Sequence, residues 1–115
     1  MICKRGDIVL AWFPHSDLVT MKRRPALVVQ ADNLNTGIAQ VVLVLITTNL
    51  KRLGHPSRVF VPRSWPTGVA SGLVADSVIM TDNIATVIEK AIDSVIGKLP
   101  DMAAVGAALR HTLGL

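Results

Sequence analysis

Gln40–Thr48 reads QVVLVLITT, and this stretch decides the fold. From Val41 to Ile46 it is apolar on both alternating faces, the pattern of a central strand buried on two sides. Upstream, Ala26–Gln30 (ALVVQ) reads as a strand whose start is punctuated by Pro25, and Asp7–Phe13 (DIVLAWF) as the strand before it. Between these two, Pro14–Arg24 (PHSDLVTMKRR) reads as a long loop carrying a Pro, a His and three consecutive bases. Loops of that length are uncommon in small β domains unless they are functional. Asp32–Gly37 (DNLNTG) reads as a turn leading into the central strand.

Downstream, Asn49–Pro56 (NLKRLGHP) reads as a second basic loop, Ser57–Val61 as an alternating strand and Pro62–Gly72 as a turn-rich excursion. Gly72–Met80 supplies one or two short strands. Thr86–Lys98 is ambiguous: Glu89–Ile92 fits one helical turn, after which Ser94–Leu99 completes the sheet. From about Asp101 the apolar residues Met102, Val105, Leu109 and Leu113 fall at helical spacing, with Pro100 at the entrance and Gly114 at the exit. Asp101 and Arg110 both suit the helix dipole. The expected architecture is mainly β with a C-terminal α-helix, a single domain over residues 1–115 in the manner of small SH3-like barrels.

Composition supports that class. Fifteen Val and nine Ile among 115 residues favour a pleated surface over helix, and aromatics at 3% leave the core to aliphatics. The lone Cys3 removes an intramolecular disulfide and suggests a cytoplasmic setting. Cys3, His15, His55 and His111 lack the paired spacing of a zinc site, and no cofactor or metal is expected. The longest apolar run, Val41–Ile46, is far below the ~20 residues of a spanning helix, and Asp7 interrupts a signal-peptide reading.

Charge is unevenly spread. Residues 1–63 hold nine of the 12 Lys and Arg against three acids, giving +6, while residues 64–115 hold three bases against five acids, giving −2. A basic half attracts polyanions, although a solvated basic face without a ligand is the plain alternative. There is no GxGxxG, GxxxxGK[ST] or HExxH, and no local Ser-His-Asp signature.

The remaining signal is a set of polar residues at strand ends beside basic loops. The opening RGDIVL (Arg5–Leu10) with an aromatic and a proline after it, RRPALVV (Arg23–Val29), ITT (Ile46–Thr48) and GLV…DSVIMTDNIATV (Gly72–Val74, Asp76–Val87) resemble the MazF/PemK (Kid) family of toxin endoribonucleases. The resemblance runs in order from about Lys4 to the terminal helix, with the RPALVV block its most specific piece. It implies an SH3-like barrel in a homodimer, single-stranded RNA in a groove at the dimer interface, metal-independent cleavage, and a cognate antitoxin whose disordered tail fills that groove. The family's principal catalytic pair falls on Arg24 and Thr47, and the Asp after SVI, a further candidate catalytic residue, falls on Asp82. PemK-like members place an Arg where this chain has Met80, which moves the weight onto Arg24 and Thr47.

Side-chain chemistry fits those positions. Attack by a ribose 2′-OH on the adjacent phosphate builds a dianionic phosphorane, which a planar guanidinium stabilises through two parallel N–H bonds and a threonine hydroxyl through a third. A guanidinium keeps its proton, so Arg24 makes a poor base. His15, in the loop beside the same basic cluster, is the candidate for proton transfer. Lys22, Arg23, Lys51, Arg52 and Arg58 are candidate phosphate contacts. The bland readings are a surface base at Arg24, ordinary strand residues at Thr47 and Thr48, and solvated histidines. For Asp82 the bland reading is an N-cap, with Asn83–Val87 leaving the strand. Two rival functions come from other classes: a non-catalytic nucleic-acid-binding family member, and a CcdB-like gyrase-binding toxin. A C-terminal Trp-Gly-Ile would mark the second, and this chain ends Thr112-Leu113-Gly114-Leu115.

Overall fold

The structure, a computed structural model describing residues 3–15 and 17–115, is built on one antiparallel sheet. Its strands are β1 (Asp7–Pro14), β2 (Met21–Val28), β3 (Gln40–Thr47), β4 (Arg58–Val61), β5 (Ser77–Ile88) and β6 (Ile92–Lys98). They lie in the order β4-β5-β3-β2-β1-β6. Helix α1 (Pro66–Ser71) separates β4 from β5, one 3-10 turn (Glu89–Ala91) separates β5 from β6, and α2 (Ala103–Leu113) ends the chain. The protein is therefore mainly β with a C-terminal helix, as expected.

QVVLVLIT sits between β5 and β2, and both of its faces are buried. Val41 and Leu43 join Val9, Ala11, Ala26, Val28 and Ile92 in one core cluster. Val44 and Ile46 join Ile8, Leu27, Val61, Ile79 and Val105 in the other, which α2 covers. Burying each such aliphatic side chain is worth about 1.5–3 kcal/mol, and only a strand with no polar side chain between its ends can collect that on two faces.

Several boundaries differ from the sequence reading. β2 begins at Met21 and not at Ala26, because Trp12 and Phe13 pair with Arg23 and Lys22 and draw the basic run into the ladder. A run of three cations carries no alternation, so only the partner strand reveals it. The loop expected over Pro14–Arg24 shrinks to a hairpin turn closed by Asp17, whose Oδ1 accepts the Val19 and Thr20 N–H groups at 2.9 and 3.1 Å. Residue 16 of that loop lies outside the described residues.

The turn-rich excursion contains α1, with Pro66 in its first turn and Gly72 as a left-handed C-cap at φ 72°. The Pro and Gly that suggested turns are thus the punctuation of a six-residue helix. β5 runs unbroken through Asp82 to Ile88, which overturns the N-cap reading. Its pairing with β3 jumps from Met80–Leu45 to Ile84–Val44, leaving Thr81, Asp82 and Asn83 as a bulge. Buried Thr81 pins the bulge: its Oγ1 bonds the Ser57 carbonyl at 2.5 Å and lies 2.9 Å from the Thr112 hydroxyl of α2. Among the described residues no helix is long and apolar enough to cross a membrane.

Candidate functional site

β2 and β3 are paired only from Ala26–Leu45 to Val28–Leu43. Pro25, which has no N–H to give, stands at the point where the ladder ends, and beyond it the two strands part. β2 continues with β1 alone and β3 with β5 alone, so a notch opens between them. Lys22, Arg23, Arg24 and Pro25 line one wall, and Ile46, Thr47 and Thr48 the other, with Ser77 beside them; the cavity is about 170 Å³. Extending the β2–β3 register by two residues sets Arg24 opposite Thr47. The two side chains that sequence reasoning paired across 23 positions thus share one cavity.

The notch is cationic, with three bases and no acid among its lining residues. The Thr47 Oγ1 accepts the Asn49 N–H at 3.1 Å, an arrangement that leaves the hydroxyl proton to be donated outward. An exposed guanidinium facing such a hydroxyl offers a non-bridging phosphate oxygen three donors from two sides. A larger cavity of about 410 Å³ lies at the other end of β3, about 24 Å away by strand rise. It is lined by Asp32 and Glu89 and has the wrong charge for a phosphate.

The other expected residues are distributed less compactly. His15 stands at the tip of the β1–β2 hairpin, beyond the last pair Pro14–Met21, whereas Arg24 pairs with Ala11. That places it at least about 10 Å along the strand from Arg24. Lys51 and Arg52 are exposed on the β3–β4 loop, which leaves the same end of β3 as the notch. Arg58 does not present a bare charge as expected. Its Nε and Nη2 donate to Oδ1 and Oδ2 of Asp82 at 2.8 and 3.1 Å, so each neutralises the other outside the notch. Arg23 is likewise engaged, by Asp93 of β6 at 3.1 Å. Sequence reasoning missed Ser77, for which no motif gives a signal, and the Asp93 contact, because that carboxylate lies 70 residues away.

The fork of bonds from Arg58 is the main reason that Asp82 is held below the usual carboxylate range, burial working against it. A depressed folded-state pKa stabilises the fold above the unfolded value of about 3.9, and that contribution is lost as pH falls through the folded value. Asp82 is 41% exposed, so solvent limits the pair to about 1 kcal/mol or less. Asp82→Asn is expected to lower urea-unfolding stability by that amount at pH 7, and the gap to the parent should close in acid. A gap that persists in acid would assign the loss to packing instead.

A small cationic notch at the parting of two strands, on a six-stranded sheet closed by a terminal helix, defines a mainly β protein with a basic cavity chemically suited to an anion. Residues 4–113 match the family described as PemK-like, MazF-like toxin of type II toxin-antitoxin system, and the chain belongs to that family. It is 32% identical over 119 residues to Endoribonuclease MazF2 of Mycobacterium bovis and equally to Endoribonuclease MazF6 of Mycobacterium tuberculosis, with 100% of both chains covered in each case. Among solved structures it is similar to an endoribonuclease in complex with its cognate antitoxin from a Mycobacterial species, at TM-score 0.74 and 25% identity, covering 98% of this chain and 96% of that one. MazF from a MazE-MazF crystal of Deinococcus radiodurans gives TM-score 0.76 at 21% identity, over 100% and 99% of the two chains, and speaks for the fold.

Proposed function

We propose that the protein is the toxin of a type II toxin-antitoxin pair, a cytoplasmic endoribonuclease that cleaves single-stranded RNA without a metal. The observation that carries this reading is the meeting of Arg24 and Thr47 across a cationic notch in a chain of this family. In the proposed reaction the ribose O2′ bonds to phosphorus and the P–O5′ bond breaks, giving a 2′,3′-cyclic phosphate and a 5′-OH. One proton leaves O2′ and one reaches O5′. Arg24 and Thr47 bind the non-bridging oxygens where charge builds in the phosphorane. His15 is the proposed proton carrier and reaches the phosphate only if the hairpin folds over bound RNA. An unaltered pH–rate profile in His15→Ala removes it from the mechanism.

The test is to incubate the protein with a long single-stranded RNA in EDTA and map the ends. Cyclic-phosphate ends that vanish in Arg24→Ala and Thr47→Ala support the reading; a requirement for Mg²⁺ sinks it, and intact RNA with salt-sensitive binding reduces the chain to a binding module. Among the described residues, Lys22, Lys51 and Arg52 are the proposed phosphate contacts that no carboxylate pairs. Each, replaced by Ala, is expected to flatten the slope of log affinity against log salt by about one or less, uniformly across RNA sequences. The partners are a second copy of the chain and an antitoxin whose acidic tail complements the Lys22–Arg24 wall. Exposed Val69 and Val74 supply apolar area for a dimer face. A monomer at micromolar concentration would contradict the dimer.

A further inference from the structure

Trp12 is unusual in this chain. The protein has only two tryptophans, and this one stands on β1 directly across from Arg23 with 39% of its surface exposed. The Arg23 guanidinium carbon lies 5.7 Å from the indole centroid, within range of a cation–π contact. Its Nη1 is tied to Asp93, so side chains from β1, β2 and β6 form one ordered unit. About half of the Arg23 side chain remains open to solvent, and the same residue lines the notch beside Arg24.

Arg23 is therefore poorly suited to the role expected for it. Its charge is balanced by Asp93, which weakens it as a phosphate contact. A guanidinium laid over an indole and tethered by a carboxylate instead offers a flat, pre-ordered surface, on which little side-chain freedom remains to be lost when another flat group lands.

We infer that Trp12 and Arg23 form a stacking platform for the nucleobase adjoining the phosphate held between Arg24 and Thr47. This rests on the RNA reading above. The ligand class follows from the neighbourhood: a phosphate in the notch carries a sugar and base on either side, and the platform lies across β1 and β2 next to that notch, which Arg23 also lines. Every base has a π face, so the platform sets the register of the strand and leaves base identity to the loops. Asp93 is a positioning residue that acts through Arg23.

The test uses Trp65→Phe protein, in which Trp12 is the sole indole, and an RNA spanning a mapped cleavage site with 2′-deoxyribose at the scissile nucleotide. Binding is followed by anisotropy of a label on the RNA and, in parallel, by Trp12 emission. Saturation should quench Trp12. An abasic site walked along the RNA should weaken binding about tenfold at one position next to the scissile phosphate. In Trp12→Ala that position should become insensitive, while Trp12→Phe keeps most of the effect and Asp93→Asn loses part of it. With unmodified RNA, Trp12→Ala should raise KM more than it lowers kcat.

Saturable RNA binding with unchanged Trp12 emission would overturn the platform and leave the endoribonuclease reading intact. Equal abasic losses in the parent and Trp12→Ala would do the same. Absence of RNA binding by the Trp65→Phe parent and by the natural protein would overturn both. The emission measurement needs no substitution at Trp12, so a poorly folding variant does not block it.

Discussion

Arg24→Ala is expected to lower kcat for RNA cleavage by about 10²–10³-fold, the usual effect of removing one donor aimed at developing transition-state charge. KM should move far less, because the proposed phosphate contacts Lys22, Lys51 and Arg52 would remain to hold the strand. Arg24→Lys keeps the charge without the planar fork and should fall between the two. Thr47→Val removes one neutral donor while keeping the β-branched shape, and about a tenfold loss is expected. The Arg24 side chain is exposed within β2, so its replacement should leave unfolding stability within about 0.5 kcal/mol of the parent. Single-turnover cleavage alongside urea unfolding separates chemistry from folding. An Arg24→Ala protein that keeps activity within fivefold would remove Arg24 from the reaction.

A large effect on stability is expected at Gly97. A Cβ built there would lie 2.3 Å from the carbonyl carbon and oxygen of Ser71 and 2.5 Å from the Ala70 carbonyl oxygen. All three are backbone atoms of α1, which cannot turn aside as a side-chain tip can. Gly72 faces the same contact from the other side, its Cβ position 2.0 Å from the Ile96 oxygen, and it also holds a left-handed φ of 72°. α1 and β6 thus meet backbone against backbone, and Gly97→Ala must push them apart. A loss of about 3 kcal/mol or more is expected, lowering the thermal midpoint by about 10 °C or more. Gly54→Ala is the control: nothing lies within 4 Å of its Cβ position, so its stability should change by about 0.5 kcal/mol or less. If Gly97→Ala unfolds with the parent, the close approach of α1 to β6 is wrong.

These two sites differ in how far the sequence announces them. Arg24 stands in a block, RRPALVV, whose proline and aliphatic run are visible in one dimension and whose resemblance to a toxin family carries a role with it. Gly97 stands in VIGKLP and gives no sign that a helix from residues 66–71 presses on it. The same contrast runs through the site. Thr47 ends an aliphatic run that no reading could mistake, whereas Ser77 enters the notch only because β5 pairs with β3 there. Arg58 and Arg23 looked alike as free cations, and each is claimed by an acid too distant along the chain to be assigned to it, Asp82 and Asp93.

Local chemistry determined the strand core, the terminal helix with its Gly114 exit and the basic character of the N-terminal half. Hydrophobic run length, β-branching and capping act between residues a few positions apart, and a one-dimensional text records them. The tertiary structure decided which strands part after Pro25, that Arg24 faces Thr47 across the opening, and which cations remain unpaired. Those outcomes depend on register between strands distant in sequence, where a shift of one residue would turn Arg24 to the opposite face of the sheet.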